Sequence, residues 1–144
     1  MSLTRKQAID DICGMFKTVW DATAYAARVK WENVGKKSAT NFDGEDPWVR
    51  FTLRHTGAEA GSLSGGDGTK IFDRFGVLTI SLFTEIGKGL SGETDYAKLI
   101  MDIYEGKRSP QGVIFRNVRI IEIGESDGFF QTNINAEFEY NEIK

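Results

Sequence analysis

The chain has 144 residues, 40% apolar and 27% charged, the size of one domain and a globular balance that excludes a disordered chain. A single cysteine, Cys13, excludes an internal disulfide and a cysteine-cluster metal site, and suits a reducing compartment. A formal net charge of −3 argues against a dedicated nucleic-acid binder; with no apolar run near ~18 residues and no apolar signal segment, synthesis in the cytoplasm is the expectation.

Thr4 and Gln7 have capping-box spacing at the head of a first helix. Ile9, Ile12, Cys13, Phe16 and Trp20 then recur at helical period, with Lys6, Asp10 and Lys17 on the other side. Gly14 weakens the helix interior. Residues 22–27 fit no single element, and 28–34 read as a strand. A polar, turn-rich loop is expected over 35–47. Residues 48–54 alternate as a strand: Val49, Phe51 and Leu53 take one face, and Trp48, Arg50, Thr52 and Arg54 the other. Gly61, Gly65, Gly66 and Gly68 mark 57–70 as a long loop without packed structure, a kind that is usually functional or disordered.

A strand follows over 72–86, with Gly76 marking a bulge or bend. The glycine-rich connection 87–94 leads to a second helix from Asp95, whose stripe is Tyr96, Leu99, Ile100, Ile103 and Tyr104 and whose stop is Gly106. The end reads as a hairpin of 113–123 and 129–140 around the turn 125–128. In its last arm Phe130, Thr132, Ile134, Ala136, Phe138 and Tyr140 share one face. Gln131, Asn133, Asn135, Glu137 and Glu139 share a wet one. The order helix, three strands, helix, two strands indicates an α+β fold: a largely antiparallel or mixed sheet of about five strands with two helices packed on one face. One domain over 1–144 is expected, with flexible loops near 35–47, 57–70 and 87–94.

No constellation in the sequence makes a convincing catalytic site. Residues 87–92 spell G-x-G-x-x-G between a strand and a helix, the spacing of a dinucleotide site. Helical periodicity begins only near Asp95, which leaves Gly92 in the loop, and Glu122 comes too late to be the acid that grips a ribose. Residues 65–70 look like a phosphate cradle, but Lys70 follows Thr69 instead of a glycine. His55, the only histidine, reads as a solvated strand-end residue, and Cys13 as core. The local pairs Asp10–Asp11, Asp43–Asp46 and Glu137–Glu139 do not amount to two carboxylates held across a cleft; the face of Glu137 and Glu139 reads as solvated sheet surface, or as a face that meets a neighbouring subunit. Lys30, Lys36, Lys37, Arg50 and Arg54 around Trp31 and Trp48 read as a salt-bridged or interface face. The chain is therefore read as a non-enzyme with no cofactor and no metal.

The same residues carry a resemblance over nearly the whole chain. The initial helix, Val29-Lys30-Trp31-Glu32-Asn33 and Trp48-Val49-Arg50-Phe51 come first. A glycine-rich loop precedes Phe75-Gly76-Val77-Leu78-Thr79-Ile80, and a glycine-rich turn precedes the second helix. Val113-Ile114-Phe115, Gly128-Phe129-Phe130-Gln131-Thr132-Asn133-Ile134 and Glu137-Phe138-Glu139-Tyr140 end the chain. The pattern resembles the tail-terminator, or minor tail (tail-completion), proteins of long-tailed bacteriophages and prophages. The resemblance implies a homo-oligomeric ring, commonly a hexamer, that caps the tail tube, stops its polymerisation and prepares head–tail joining. Its partners are then the tail-tube protein and head–tail connector proteins, with no sequence-specific nucleic acid and no membrane. It also implies a place in the virion tail after assembly in the host bacterial cytoplasm. Leu63, Asp67, Lys70, Lys88, Leu90, Arg50 and Arg54 are the candidate subunit or partner contacts. The rival readings are another ring-forming connector or tail-tube protein, and a small ligand-binding domain or enzyme. A closed apolar pocket with polar groups converging around His55 would mark the latter.

Overall fold

In a computed structural model, which describes residues 2–32, 46–63, 70–87, 91–126 and 128–143, the capping box closes as its spacing indicates. The Gln7 N–H donates to the Thr4 hydroxyl oxygen at 3.2 Å, and the Thr4 N–H donates to Gln7 Oε1 at 2.9 Å. Two of the amides that a helix start leaves unpaired are thereby satisfied. Helix α1 (Arg5–Trp20) buries Ala8, Asp11, Ile12, Phe16 and Trp20, while Ile9 and Cys13 flank that stripe half-buried.

Strand β1 (Val29–Trp31), β2 (Trp48–Leu63), β3 (Lys70–Glu85), helix α2 (Ser91–Tyr104), β4 (Ile114–Ser126) and β5 (Phe129–Ile143) follow. They build one five-stranded sheet in the order β1-β2-β3-β5-β4. β1 runs parallel to β2, and every other neighbouring pair is antiparallel. The sheet is thus mixed, and β3–α2–β4 crosses over β5 to reach the far edge. Register rows explain the core. Phe51, Ile80, Ile134 and Ile120 lie across from one another, as do Leu53, Leu78 and Ala136, and all face the helices. Phe16 of α1 meets Phe51 at 5.5 Å between ring centroids. Ala97, Ile100, Ile103 and Tyr104 of α2 complete the layer. Each such fully buried large side chain contributes on the order of 1.5–3 kcal/mol of transfer free energy.

The opposite face has no helix on it among the described residues. Its rows include Arg50, Ser81, Asn133 and Ile121, then Thr52, Thr79, Asn135 and Arg119. At one end of this face Trp48 stacks on Phe83 at 4.0 Å, and Phe129 packs edge-on to both. Lys30 lies 5.0 Å over the Trp48 ring and Arg50 5.3 Å over Phe83, positions where a ring face attracts a cation.

Several boundaries differ from the sequence reading. The loop expected over 57–70 is strand as far as Leu63, and β3 already begins at Lys70; 64–69 lie outside the described residues. Backbone pairing with β3, itself held by β5, is enough to carry this arm. Small side chains at Gly57, Ala58 and Ala60 give it no apolar period to read. In the loop expected over 35–47, residues 35–45 also lie outside the described residues. α2 starts at Ser91 and not near Asp95, so the connection before it is shorter than 87–94. β1 is only Val29–Trp31, and β4 runs on to Ser126. Gly106 does stop α2, with φ at +69° in the left-handed region.

Candidate functional site

The most distinctive feature is the outer edge of β2. β1 covers it only from Val49 to Phe51, where the Val49 N–H donates to the Arg28 carbonyl at 3.1 Å. One residue pair further on, a side chain replaces the strand: the Leu53 N–H donates to Glu32 Oε2 at 2.9 Å, and the other Glu32 oxygen pairs with the Arg54 guanidinium. Beyond that point no strand covers β2 on this side among the described residues.

Between this edge and α1 runs a half-open groove of about 700 Å³. Ile9, Cys13, Phe51 and Leu53 give it apolar walls, with Arg5 and His55 toward one end. Its volume is within the range of ligand clefts, but it is not the closed pocket that would mark a small-ligand site. Burial pushes the Cys13 thiol up to about 11, so the group stays protonated and a poor nucleophile at neutral pH.

His55 departs from the sequence reading. It is a half-buried residue within β2, not a solvated strand end. Its Nε2 shares a hydrogen bond of 2.7 Å with the Tyr140 hydroxyl, and its ring packs edge-on to Phe138 and Tyr140. Nδ1 is buried without a hydrogen-bond partner among the described residues. Burial first, then the charges of Arg5 and Arg74, push His55 below its ordinary value of 6.5. The unfolded chain therefore binds the histidine proton more readily than the folded one. Stability is expected to fall as pH drops from about 6.5 through the folded-state value, with the term fully present only above 6.5. His55→Gln should flatten the wild-type loss between pH 7.5 and 5.5, measured by urea denaturation at each pH. An equal loss in both proteins would refute the assignment.

The residues singled out from sequence do not form one cluster. Arg54 reaches the groove rim through Glu32, whereas Arg50 lies over Phe83 on the helix-free face. Leu63 and Lys70 are register partners where β2 and β3 meet, at the opposite end of that pair from Arg50 and its partner Ser81. Asp67, Lys88 and Leu90 lie outside the described residues. The groove itself was missed because Arg5, Cys13 and His55 are brought together only by tertiary packing. The one local hint was Ile9 and Cys13 on the flank of an otherwise narrow stripe.

Gly92 is in the first turn of α2, so its expected place in a loop is wrong and that objection to a nucleotide site falls. A stronger one replaces it. Glu93, also in that turn, is buried and accepts a hydrogen bond from the Thr132 hydroxyl. The helix start that would hold a phosphate thus already has a carboxyl group packed against it. β3 also has antiparallel neighbours on both sides, unlike the strand of a dinucleotide fold.

The carboxylates have structural partners, and Asp11 is buried under the 109–112 turn instead of solvated. Asp10 pairs with Lys6 at 3.6 Å, and Asp11 accepts from the Gln111 N–H at 2.9 Å. Glu137 accepts from Asn117 at 2.8 Å, and Glu139 pairs with Arg116. Among the described residues no group of three or more His, Cys, Asp or Glu is placed to hold a metal ion. No helix there is long and apolar enough to cross a membrane.

No protein-family model and no curated protein sequence matches the chain. It is similar to a solved structure whose name states no activity, with a TM-score of 0.66 and 14% identity over 96% of each chain. At that identity the likeness establishes a shared fold: the mixed sheet with helices on one side is an architecture found in another protein over nearly its full length.

Proposed function

We propose that this chain is a structural virion protein of the tail-terminator kind. Copies of it form a ring, with six as the expected number, that caps the tail tube of a long-tailed phage or prophage. The ring stops tube growth and prepares head–tail joining, using no catalytic chemistry and no cofactor. Its partners are other copies, the tail-tube protein and connector proteins, and its place is the virion tail after assembly in the host cytoplasm.

The observation that carries this reading is a sheet with two different outer edges that have no neighbouring strand among the described residues. One is β2 beyond Phe51; the other is β4 beyond Ile114, where Arg108 makes an isolated bridge. Open edges are templates for pairing with another chain, and proteins that stay monomeric blunt them. Two unlike edges on one subunit favour head-to-tail contacts, which close into rings or run on as filaments. The order of elements supports the same reading. The half-open groove beside His55 suits a partner segment better than an enclosed small molecule.

Deleting the gene from the phage or prophage that carries it should give tails of uncontrolled length that fail to join heads. Supplying the protein from a plasmid should restore one tail length, measured on negatively stained particles. Tails of normal length and normal infectivity in the deletion would overturn the reading.

A further inference from the structure

The geometry points to a defined contact between copies: the β4 edge around Ile123 of one copy seats in the groove between α1 and the open β2 edge of the next. This rests on the self-assembly in the reading above and names the surfaces that meet.

Ile123 is the most exposed large apolar side chain among the described residues, at 51%. It is the extra residue where the β4–β5 register shifts between Glu122 and Gly124, on the sheet's outermost strand. Glu122 and Glu125 beside it are exposed and make no ion pair among the described residues. The edge therefore offers an apolar knob between two acids. The groove offers apolar walls from Ile9, Cys13 and Leu53; the Glu32 carboxylate that also lines it is paired with Arg54, which leaves the exposed Arg5 as a lining charge with no ion pair among the described residues. Acid meets base around an apolar centre, the arrangement that fixes register and rejects wrong partners.

The sheet sets where the two surfaces can meet. β1 blocks the β2 edge at Val49–Phe51 and Glu32 takes the Leu53 N–H, so an added strand must lie beyond Leu53. Ile123 sits level with Trp48 and Val49 in its own copy, as the pairings of Glu122 and Gly124 through β5 and β3 show. Successive copies are therefore staggered by about five residues, or roughly 17 Å along the strands. Knob and groove lie at opposite edges of one sheet, so every copy keeps one free surface after its first contact. Such a heterologous contact propagates until it closes.

Cys13 makes the contact testable, because it is the only native cysteine and lines the groove. In full-length Ile123→Cys, an exposed substitution that leaves the core intact, copper–phenanthroline oxidation should join the introduced thiol to Cys13 of another copy. The products should form a ladder of dimers and larger species. Mixing isotopically heavy and light protein before oxidation, then mapping disulfide-linked peptides, establishes that the bond is intermolecular. Ile123→Cys/Cys13→Ser should lose the ladder. Ile123→Cys/Arg5→Glu should form it at least about fivefold more slowly, because like charges then face each other. A ladder in which Cys13 never appears overturns the contact, as does the lack of any crosslink at about 1 mM protein and pH 9 under conditions where a maleimide still modifies Cys13. Rings that form without the Cys13 crosslink would remove this contact and leave the tail-terminator reading standing. A Cys13 ladder together with normal tails in the gene deletion would do the opposite.

Discussion

Gly76→Ala is expected to destabilise the fold by about 3 kcal/mol or more, the upper part of the range for forcing atoms into a packed interior. A Cβ built on Gly76 falls 2.5 Å from the Arg54 carbonyl oxygen and 2.6 Å from Phe138 Cε1, with Phe138 Cζ closer still. Those are distances that something must move to relieve. Gly76 pairs with His55 on one side and Phe138 on the other, in the middle of the sheet. Phe138 is 2% exposed, so its ring has no free space to enter. The bulge that the glycine suggests lies opposite it, at the register shift between His55 and Gly57 in β2. Gly76 itself keeps regular pairing, and its missing side chain is what lets the Phe138 ring cross it. Phe138→Leu should restore only part of the loss in the double variant, because the Arg54 carbonyl belongs to the backbone and stays where it is. Urea midpoints of wild type and the variants measure this directly. A shift worth under about 0.5 kcal/mol, typical of an open surface site, would show that the row is not packed in this way. Since His55 and Tyr140 pack on the same Phe138 ring system, the substitution should also disturb the groove wall.

Elements whose signal is local were readable from the sequence. The capping box at Thr4, the α1 stripe, the stop at Gly106 and the alternation along β5 each depend on residues a few positions apart. The β5 alternation was sharp because one face of that strand meets the helices and the other does not. The distal half of β2 was not readable, since Gly57, Ala58 and Ala60 are exposed and owe their strand conformation to backbone pairing with β3. The true start of α2 was hidden for a related reason. Glu93 reads as a polar loop residue, yet it is buried against Thr132, which lies 39 positions away in the chain. The candidate groove was the least readable part. Its His55–Tyr140 contact spans 85 positions, and Glu32 stands in for a strand residue in a way that no sequence period signals.

Trp20→Ala is expected to cost about 4 kcal/mol, within the range for removing a buried large aromatic, and to loosen the segment that leads into β1. Trp20 is fully buried at the end of α1. Its ring stacks on Phe16 at 5.7 Å and meets Tyr96 of α2 edge-on at 6.4 Å, so it joins the two helices. It also organises residues 22–27, which fit no element by sequence. The indole N–H donates to the Tyr25 carbonyl at 2.9 Å, the Thr23 hydroxyl donates to the Trp20 carbonyl at 2.6 Å, and the Tyr25 N–H donates to the Thr23 hydroxyl at 3.2 Å. The Tyr25 carbonyl also accepts from the Arg28 N–H at 2.9 Å, and the Arg28 carbonyl in turn accepts from Val49. One side chain thus fixes the turn that places β1 on the β2 edge. Trp20→Phe separates the two contributions. It keeps an aromatic ring on Phe16 but removes the indole donor, and the Tyr25 carbonyl retains Arg28, so its cost should be only about 1–2 kcal/mol. Hydrogen exchange at the Val49 amide reads the consequence for the edge. Exchange there should accelerate in Trp20→Ala more than at Ile80 in the centre of the sheet. Equal acceleration at both sites would mean that Trp20 supports the fold as a whole and does not specifically hold β1. If β1 is what Trp20 holds, the open part of the β2 edge should lengthen toward Val49 in this variant. Any assembly that depends on a staggered contact beyond Leu53 should then lose its single register.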